Sequence, residues 1–346
     1  MKRVYLDYNA TSPVHPEVAK GLQKALAIFG NPSSLHAEGR AAKEAVEDAR
    51  EKIARTIDAE PDQIIFTGSG TEANNHVVSQ AAGLVVTSEI EHPSILEACD
   101  ATYLAVSRQG IIDTGAIPAN AALVSVMLAN NETGVIQSIP RLSIPVHTDA
   151  VQALGKLSFS FKALGVDFMT LSAHKIGGLK GVGALVVKDP KKFKAMLFGG
   201  PQEQRLRAGT ENVPGIIAFG IAVEHIQAVD KQLKLQLLHG IETSISNAVI
   251  NGHPDQTLSN TLNVSFPGLK GESLVIALDL AGVAASTGSA CSTGSTEPSH
   301  VLLAMYKDKA IAESSVRFSL GPDTTHADIV YVLDVLPGLV KKLRDH

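Results

Sequence analysis

A mainly parallel α/β sheet of seven strands, covered by helices on both faces and joined to a smaller α+β domain, is the fold class the sequence predicts. Three observations carry that expectation. Seven short apolar runs lie between residues 63 and 187. Helical stretches separate several of them, and apolar strands that alternate with helices are buried on both faces of a parallel sheet. Beyond about residue 215 the pattern changes to strands and helices of a different spacing.

Before the first run, residues 35–58 (HAEGRAAKEAVEDAREKIARTI within them) set Ala42, Ala45, Val46, Ala49, Ile53 and Ile57 on one face, the mark of an amphipathic helix. The strand runs follow: QIIFT at 63–67, LVVT at 84–87, YLAV at 103–106, LVSVML at 123–128, PVHT at 145–148, DFMT at 167–170 and GALVV at 183–187. Between them TEANNHVVSQA and HPSILEACD read as helical. A long helix is expected over roughly 215–248, then strands in NTLNVSF, VAAST and SSVRFSL, and a last helix over about 324–345. The expected division is a large domain over 13–231 and a small one built from 1–12 together with 232–346. A cleft between them would lie beside the carboxyl ends of the strands.

Composition excludes several classes. A net charge of −5 suits neither nucleic acid nor an anionic membrane, and 4% aromatics without Trp provides no stacking platform for single strands. No apolar run approaches the ~18 residues of a membrane span. Asp7 interrupts the N-terminus before a signal-peptide core develops. Two cysteines, Cys99 and Cys291, make no disulfide framework and have no zinc-type spacing, so a cytoplasmic protein is expected. Cys99, in a helical stretch, reads as a packed structural thiol.

Several constellations carry chemistry. Lys175 directly follows the strand run DFMT and Ser172-Ala173-His174, ahead of a glycine-rich stretch. Burial there favours a neutral amine able to form an imine, although a lysine at a strand end is also common on a surface. Thr67-Gly68-Ser69-Gly70-Thr71-Glu72-Ala73 joins a strand to a helix, where glycines and free N–H groups suit a phosphate. The same segment fits the dinucleotide pattern G-x-G-x-x-A, with Glu89 and Glu91 about 20 residues on. A nicotinamide-dependent dehydrogenase therefore competes, although the loop does not open the first βαβ unit and that reading leaves Lys175 unexplained. Asp149 ends a strand, with Gln152 three residues later. The pair suits a protonated heterocyclic nitrogen and a phenolic oxygen, and Asp149 equally suits a helix N-cap. A phosphate loop, a pyridinium partner and an imine-forming amine together point to pyridoxal phosphate.

His92, in Glu91-His92-Pro93-Ser94, sits at a strand end, where it can stack on a planar ring and move protons or simply occupy a loop. Cys291 lies in ASTGSACSTGSTEPSHV between Gly288 and Gly294, a setting for an exposed, movable thiol rather than a core one. Arg317, in SSVRFS, is the one charge of a β-like run, and its fork suits a carboxylate. Asn131 follows the run LVSVML at the same sheet edge, where NNETG alone reads as a turn.

Taken together these residues resemble the cysteine desulfurases of the NifS/IscS type, within the class V, fold-type I family of pyridoxal phosphate enzymes. The likeness runs from Tyr5-Leu6-Asp7-Tyr8-Asn9-Ala10-Thr11 and Gly30-Asn31-Pro32-Ser33-Ser34 to Arg317-Phe318-Ser319-Leu320-Gly321. It implies that Lys175 carries the cofactor as an imine, that Asp149 meets the ring nitrogen and Gln152 the ring oxygen, and that His92 stacks on the ring. Gly70, Thr71, Ser172 and His174 are then the phosphate ligands, and Thr210, in RAGTEN, reaches the phosphate of a partner subunit, which implies a homodimer. Asn131 and Arg317 hold the cofactor–substrate adduct and the substrate carboxylate, so that Asn131 binds cofactor as well as substrate. The implied reaction takes L-cysteine to L-alanine and leaves a persulfide on Cys291 for a sulfur acceptor, such as an iron–sulfur scaffold protein. A selenocysteine lyase or an aminotransferase is the alternative within the same cofactor class. Ala173 stands where the family often has glycine, and little follows the last helix.

Overall fold

The computed structural model describes residues 2–288 and 298–345. Strand β1 (Val4–Tyr5) is followed by seven strands that form one sheet: β2 (Ile64–Thr67), β3 (Leu84–Ser88), β4 (Ala101–Leu104), β5 (Ala121–Ser125), β6 (Val146–Asp149), β7 (Phe168–Ser172) and β8 (Gly183–Val187). Their order is β2-β8-β7-β6-β5-β3-β4. Only β8 runs against its neighbours, pairing antiparallel with both β2 and β7, so the sheet is mainly parallel as expected.

Strand β8 shows why these runs carry no polar alternation. Ala184 and Val186 enter one apolar cluster, while Leu185 and Val187 enter another on the opposite face. Successive side chains point to opposite faces, and both faces are dry. The first cluster is covered by helices Ala37–Ile57 and Val213–Glu224, and the second by helix Gly70–Val78. The helix predicted from residues 35–58 buries Ala42, Val46, Ala49, Ile53 and Ile57 along one stripe; Ala45 stays half-buried at its rim.

Three further strands, β9 (Val249–Asn251), β10 (Thr261–Ser265) and β12 (Ser315–Ser319), form an antiparallel sheet in the order β12-β10-β9. Strand β11 (Val283–Ala284) pairs in parallel with β1. Val4 and Leu6 consequently share an apolar cluster with Leu237, Val264, Phe266, Val316, Phe318 and Leu336.

Some expectations are corrected. The single helix over 215–248 is two helices, Val213–Glu224 and Lys231–Ser244, because Asp230 caps the second by accepting from the Gln232 N–H at 2.9 Å. The run YLAV pairs two residues earlier, as β4, since register with Val85–Ser88 decides which residues join the sheet. In HPSILEACD only Pro93–Leu96 is helical. A helix over Pro16–Ala25, begun by a proline and capped by His15, was not expected.

The free edge of β2 is closed by side chains. Arg50 Nη1 donates to the Ile64 carbonyl at 2.6 Å, and Glu203 Oε2 accepts from the Phe66 N–H at 2.7 Å. The two side chains pair with each other at 2.7 and 3.0 Å, and both are almost fully buried. Together they replace the strand that the edge lacks. Glu203, Gln204 and Arg205 all have positive φ (44°, 57° and 68°), so a left-handed turn of ordinary residues delivers that carboxylate. Replacing Arg50 with Ala strands the Glu203 carboxylate in a dry site, and the expected loss is about 3–5 kcal/mol of unfolding free energy. Denaturant unfolding of the variant against the unaltered chain measures it; a loss within error would show that the edge does not depend on the pair.

Candidate active site

The carboxyl ends of parallel strands collect the predicted residues. Strand β7 ends at Ser172 and passes into a tight turn, Ala173–Lys175. Lys175 Nζ donates to the carbonyls of Asn9 (2.6 Å) and Ala10 (2.9 Å). Strand β6 ends at Asp149, which is buried. Its Oδ1 accepts from the Val151 N–H at 2.9 Å, and its Oδ2 accepts from Asn74 Nδ2 at 2.8 Å. The same Asn74 nitrogen donates to Ser94 Oγ (2.8 Å), which lies 2.8 Å from His92 Nδ1. A polar chain therefore links Asp149 to His92 through Asn74 and Ser94.

His92 caps the short helix Pro93–Leu96, and its Nδ1 accepts from the Ser94 N–H at 3.1 Å. A ring nitrogen that accepts from an amide is unprotonated, so the neutral ring carries its proton on Nε2. Burial lowers the His92 pKa, Lys175 and His300 lower it further, and Asp149 opposes them. His92 therefore lies within electrostatic reach of both Lys175 and Asp149. In the same turn, His174 Nδ1 lies 3.1 Å from Thr11 Oγ1. Burial, with Lys175, Lys180 and Lys156 around it, brings the His174 pKa down to about 4.

The loop after β2 leads into helix Gly70–Val78, capped by Ser69, whose Oγ accepts from the Glu72 N–H. The first-turn amides of Gly70 and Thr71 have no partner within their helix. A Cβ at Gly70 would lie 3.1 Å from Val151, 3.6 Å from Thr170 and 3.8 Å from Ser172, so the absent side chain leaves a cradle between β6 and β7. Arg207 pairs with Glu72 at 2.8 Å, tying this helix start to the segment that carries Thr210. Thr210 is exposed and lines a pocket with Thr67, Gly68, Gly181, Arg207 and Asn212.

Gln152 donates from Nε2 to the Asn9 carbonyl at 3.0 Å, and its Oε1 accepts from Lys156 Nζ at 2.6 Å. Arg317 is buried in β12. Its Nη1 donates to the carbonyls of Asn131 (3.0 Å) and Gly288 (3.1 Å), and its Nη2 meets Asp7 at 2.7 Å. Among the described residues Arg317 Nε and Asn131 Oδ1 are buried without a partner. Cys291 lies outside the described residues. Cys99 is half-buried, and burial, then Asp100, push its thiol up, which suits the structural part expected of it.

None of Asn74, Ser94 and Lys156 stands out in the sequence as a site residue. Asn74 falls four residues after Gly70 and Lys156 four after Gln152, and that spacing is the signal that relates them to the site.

An open, mainly parallel sheet that gathers a lysine turn, a carboxylate strand end and a capped glycine loop on one edge defines a group-transfer enzyme of the α/β class. Residues 4–332 match the family model "Aminotransferase class-V", and the chain belongs to that family. It is 44% identical to "Cysteine desulfurase IscS" of Dictyoglomus turgidum, across 99% of this chain and 96% of that protein. Among solved structures, a NifS-like protein from Rickettsia africae superposes with a TM-score of 0.90 at 32% identity, over 98% of this chain and 99% of that one. "SspA in complex with cysteine" superposes with a TM-score of 0.83 at 34% identity, over 93% and 100% of the two chains. The family uses pyridoxal 5'-phosphate, and the dehydrogenase reading of the glycine loop is set aside. The residues present fit that cofactor: a cradle at Gly70 beside the helix-start amides, a buried carboxylate on β6 and a primary amine in the turn that follows β7.

His147 lies beneath this floor on β6, buried between Ser125 Oγ (2.9 Å) and Thr170 Oγ1 (3.0 Å). Burial lowers its pKa to about 4, against 6.5 in an unfolded chain. The unfolded state therefore binds the proton first. The stability due to the neutral ring is complete above about pH 6.5 and is lost as pH falls toward about 4. His174 adds in the same direction. Unfolding free energy measured across that window should fall by about 1.4 kcal/mol per pH unit for each such proton. His147→Gln should remove one proton from the slope; an unchanged slope would contradict the assignment.

Proposed function

We infer that the protein is a pyridoxal-phosphate-dependent cysteine desulfurase, converting L-cysteine to L-alanine and placing the sulfur on Cys291 as a persulfide. The observation that carries this reading is the meeting of Lys175, Asp149, His92 and the Gly70 helix start on one sheet edge. Relatives named cysteine desulfurase over nearly the whole chain support the same substrate. Bound at this edge, the cofactor supplies an aldehyde for amine exchange and a ring that takes up the electrons of a breaking bond.

The chain's own residues divide the remaining work. Lys175 would hold the cofactor covalently, and its amine when free would share with His92 the movement of the α-proton. Asp149, already oriented by Asn74, pairs with the ring nitrogen. Gln152 Nε2 has a second N–H, beyond the one given to Asn9, for the ring oxygen. The amides of Gly70 and Thr71 with Ser172 and His174 take the phosphate. Thr210 is exposed in one chain and, in this reading, completes the phosphate site of a second copy. Phe29, Leu35 and Phe198, each more than 80% exposed, are consistent with a homodimer. Arg317 and Asn131 hold the substrate carboxylate beside Asp7.

Cys291 thiolate attacks the substrate sulfur. An S–S bond forms, the substrate C–S bond breaks, and the carbon left behind takes a proton to become alanine, so no outside oxidant is consumed. The sulfur then passes to an acceptor such as an iron–sulfur scaffold protein. We place the reaction in the cytoplasm, where a lone reactive thiol is kept reduced; separately, among the described residues no helix is long and apolar enough to cross a membrane. The large unit of this reading spans 13–231; residues 1–12 and 232–346 form the small one that brings Arg317 and Cys291.

The purified protein should be yellow and release alanine and sulfide from L-cysteine and a thiol. Cys291→Ser should keep the colour and lose turnover. Lys175→Ala should lose the covalent attachment and reduce turnover by on the order of a thousandfold or more. Borohydride reduction and peptide mass mapping should find the label on Lys175. A label elsewhere, or normal desulfuration by Cys291→Ser, would reject the assignment.

A further inference from the structure

Lys156 is half-buried with its amine turned away from water, and the reaction has no use for it. Its Nζ donates to Gln152 Oε1 at 2.6 Å and to Asn9 Oδ1 at 2.9 Å, and among the described residues it has no carboxylate partner. Burial first, and then the cations Lys175 and Arg317, press its pKa well below the usual lysine range. An ammonium in such a place costs desolvation that no anion offsets. Both of its acceptors lead back to the site. Lys156 claims the Gln152 Oε1 while the Asn9 carbonyl takes one N–H of Nε2, and the two together leave the second N–H for the ring. Asn9 uses its Oδ1 for Lys156 and its carbonyl for Lys175 Nζ.

We propose that Lys156 is a positioning residue for this reaction: it locks the Gln152 amide in one orientation and anchors Asn9, whose carbonyl holds Lys175. The proposal rests on the desulfurase reading above, in which Gln152 and Lys175 meet the cofactor. Lysine suits the task because an ammonium only donates, so neither amide can flip. In the ammonium form, which its two oxygen acceptors favour against those shifts, it also adds a positive charge to the pocket that Lys175 shares with His92, His174, Asp149, Lys180 and Arg317, the last paired with Asp7.

The test uses the cofactor-loaded protein and the pH dependence of the bound cofactor's visible absorbance. In Lys156→Met the midpoint should rise by on the order of one unit, since a neighbouring cation that disfavours protonation is gone. Its kcat/KM should fall about tenfold as the Gln152 amide loses its fixed orientation. Lys156→Arg, which keeps the charge, should restore most of the midpoint. If Lys156→Met does not fold, Lys156→Gln, which keeps a donor without the charge, is read in the same way. A lysine that merely filled space would change the melting temperature and leave the midpoint in place. A midpoint and kcat/KM equal to those of the unaltered protein in the uncharged variants would overturn the proposal. If the unaltered protein shows no bound-cofactor absorbance at all, the desulfurase reading fails first and this inference falls with it.

Discussion

Every polar atom of Asn9 is engaged, and the site depends on that one residue. Its N–H donates to Ser319 Oγ, and its Nδ2 donates to Thr261 Oγ1 and to the Asn131 carbonyl. Its Oδ1 accepts from Lys156 and Asn260, and its carbonyl accepts from Lys175 and Gln152. Ser319 and Thr261 belong to the antiparallel sheet, whereas Lys175 and Gln152 belong to the elements leaving β7 and β6. One residue, only 1% exposed, thus joins the two groups of strands by the hydrogen bonds of its backbone and side chain. Deleting it would leave several buried donors and acceptors unmet at once, each costing about 1–3 kcal/mol. The N-terminal segment is held for the same reason: β1 adds it to one side of the molecule and Asn9 fastens it to the other.

The interior around the site is hostile to charge, and that decides what the titratable groups can do. Glu91 is fully buried; burial and Asp149 push its carboxyl well up, even though Oε1 accepts from the Met127 N–H at 2.7 Å. Burial also raises the Glu132 carboxyl, against the pull of His300, Ser299 and Arg317. His147 and His174 are neutral near pH 7. What charge remains is concentrated on Lys175, Arg317 and their neighbours, which is where an anionic cofactor and a substrate carboxylate would be received.

Much of this was legible in the residues because strand ends advertise themselves. Lys175, Asp149, His92 and the Gly70 loop each follow an apolar run directly, and a parallel sheet brings all its carboxyl ends to one edge. The supporting partners were not legible. Asn74 and Ser94 lie on two separate helices, and nothing local says that they converge on Asp149; only packing makes them neighbours. The helix break at Asp230 was hidden inside an apolar periodicity that continues on both sides of it. The shift of β4 came from pairing with β3, a long-range choice that local propensity does not contain.

Gly183 opens β8 and stands opposite Thr67 on one side and Ser172 on the other. A methyl group there would come within 2.7 Å of the Ser69 backbone and 2.9 Å of the Leu171 carbonyl. The one reversed strand thus acts as a bare spacer between the stretch that grips the anion and the stretch that presents the amine. Their separation is set by backbone thickness, which drift in neighbouring side chains cannot alter. Replacing side chains on the outer surface therefore leaves the gauge between those two stretches unchanged.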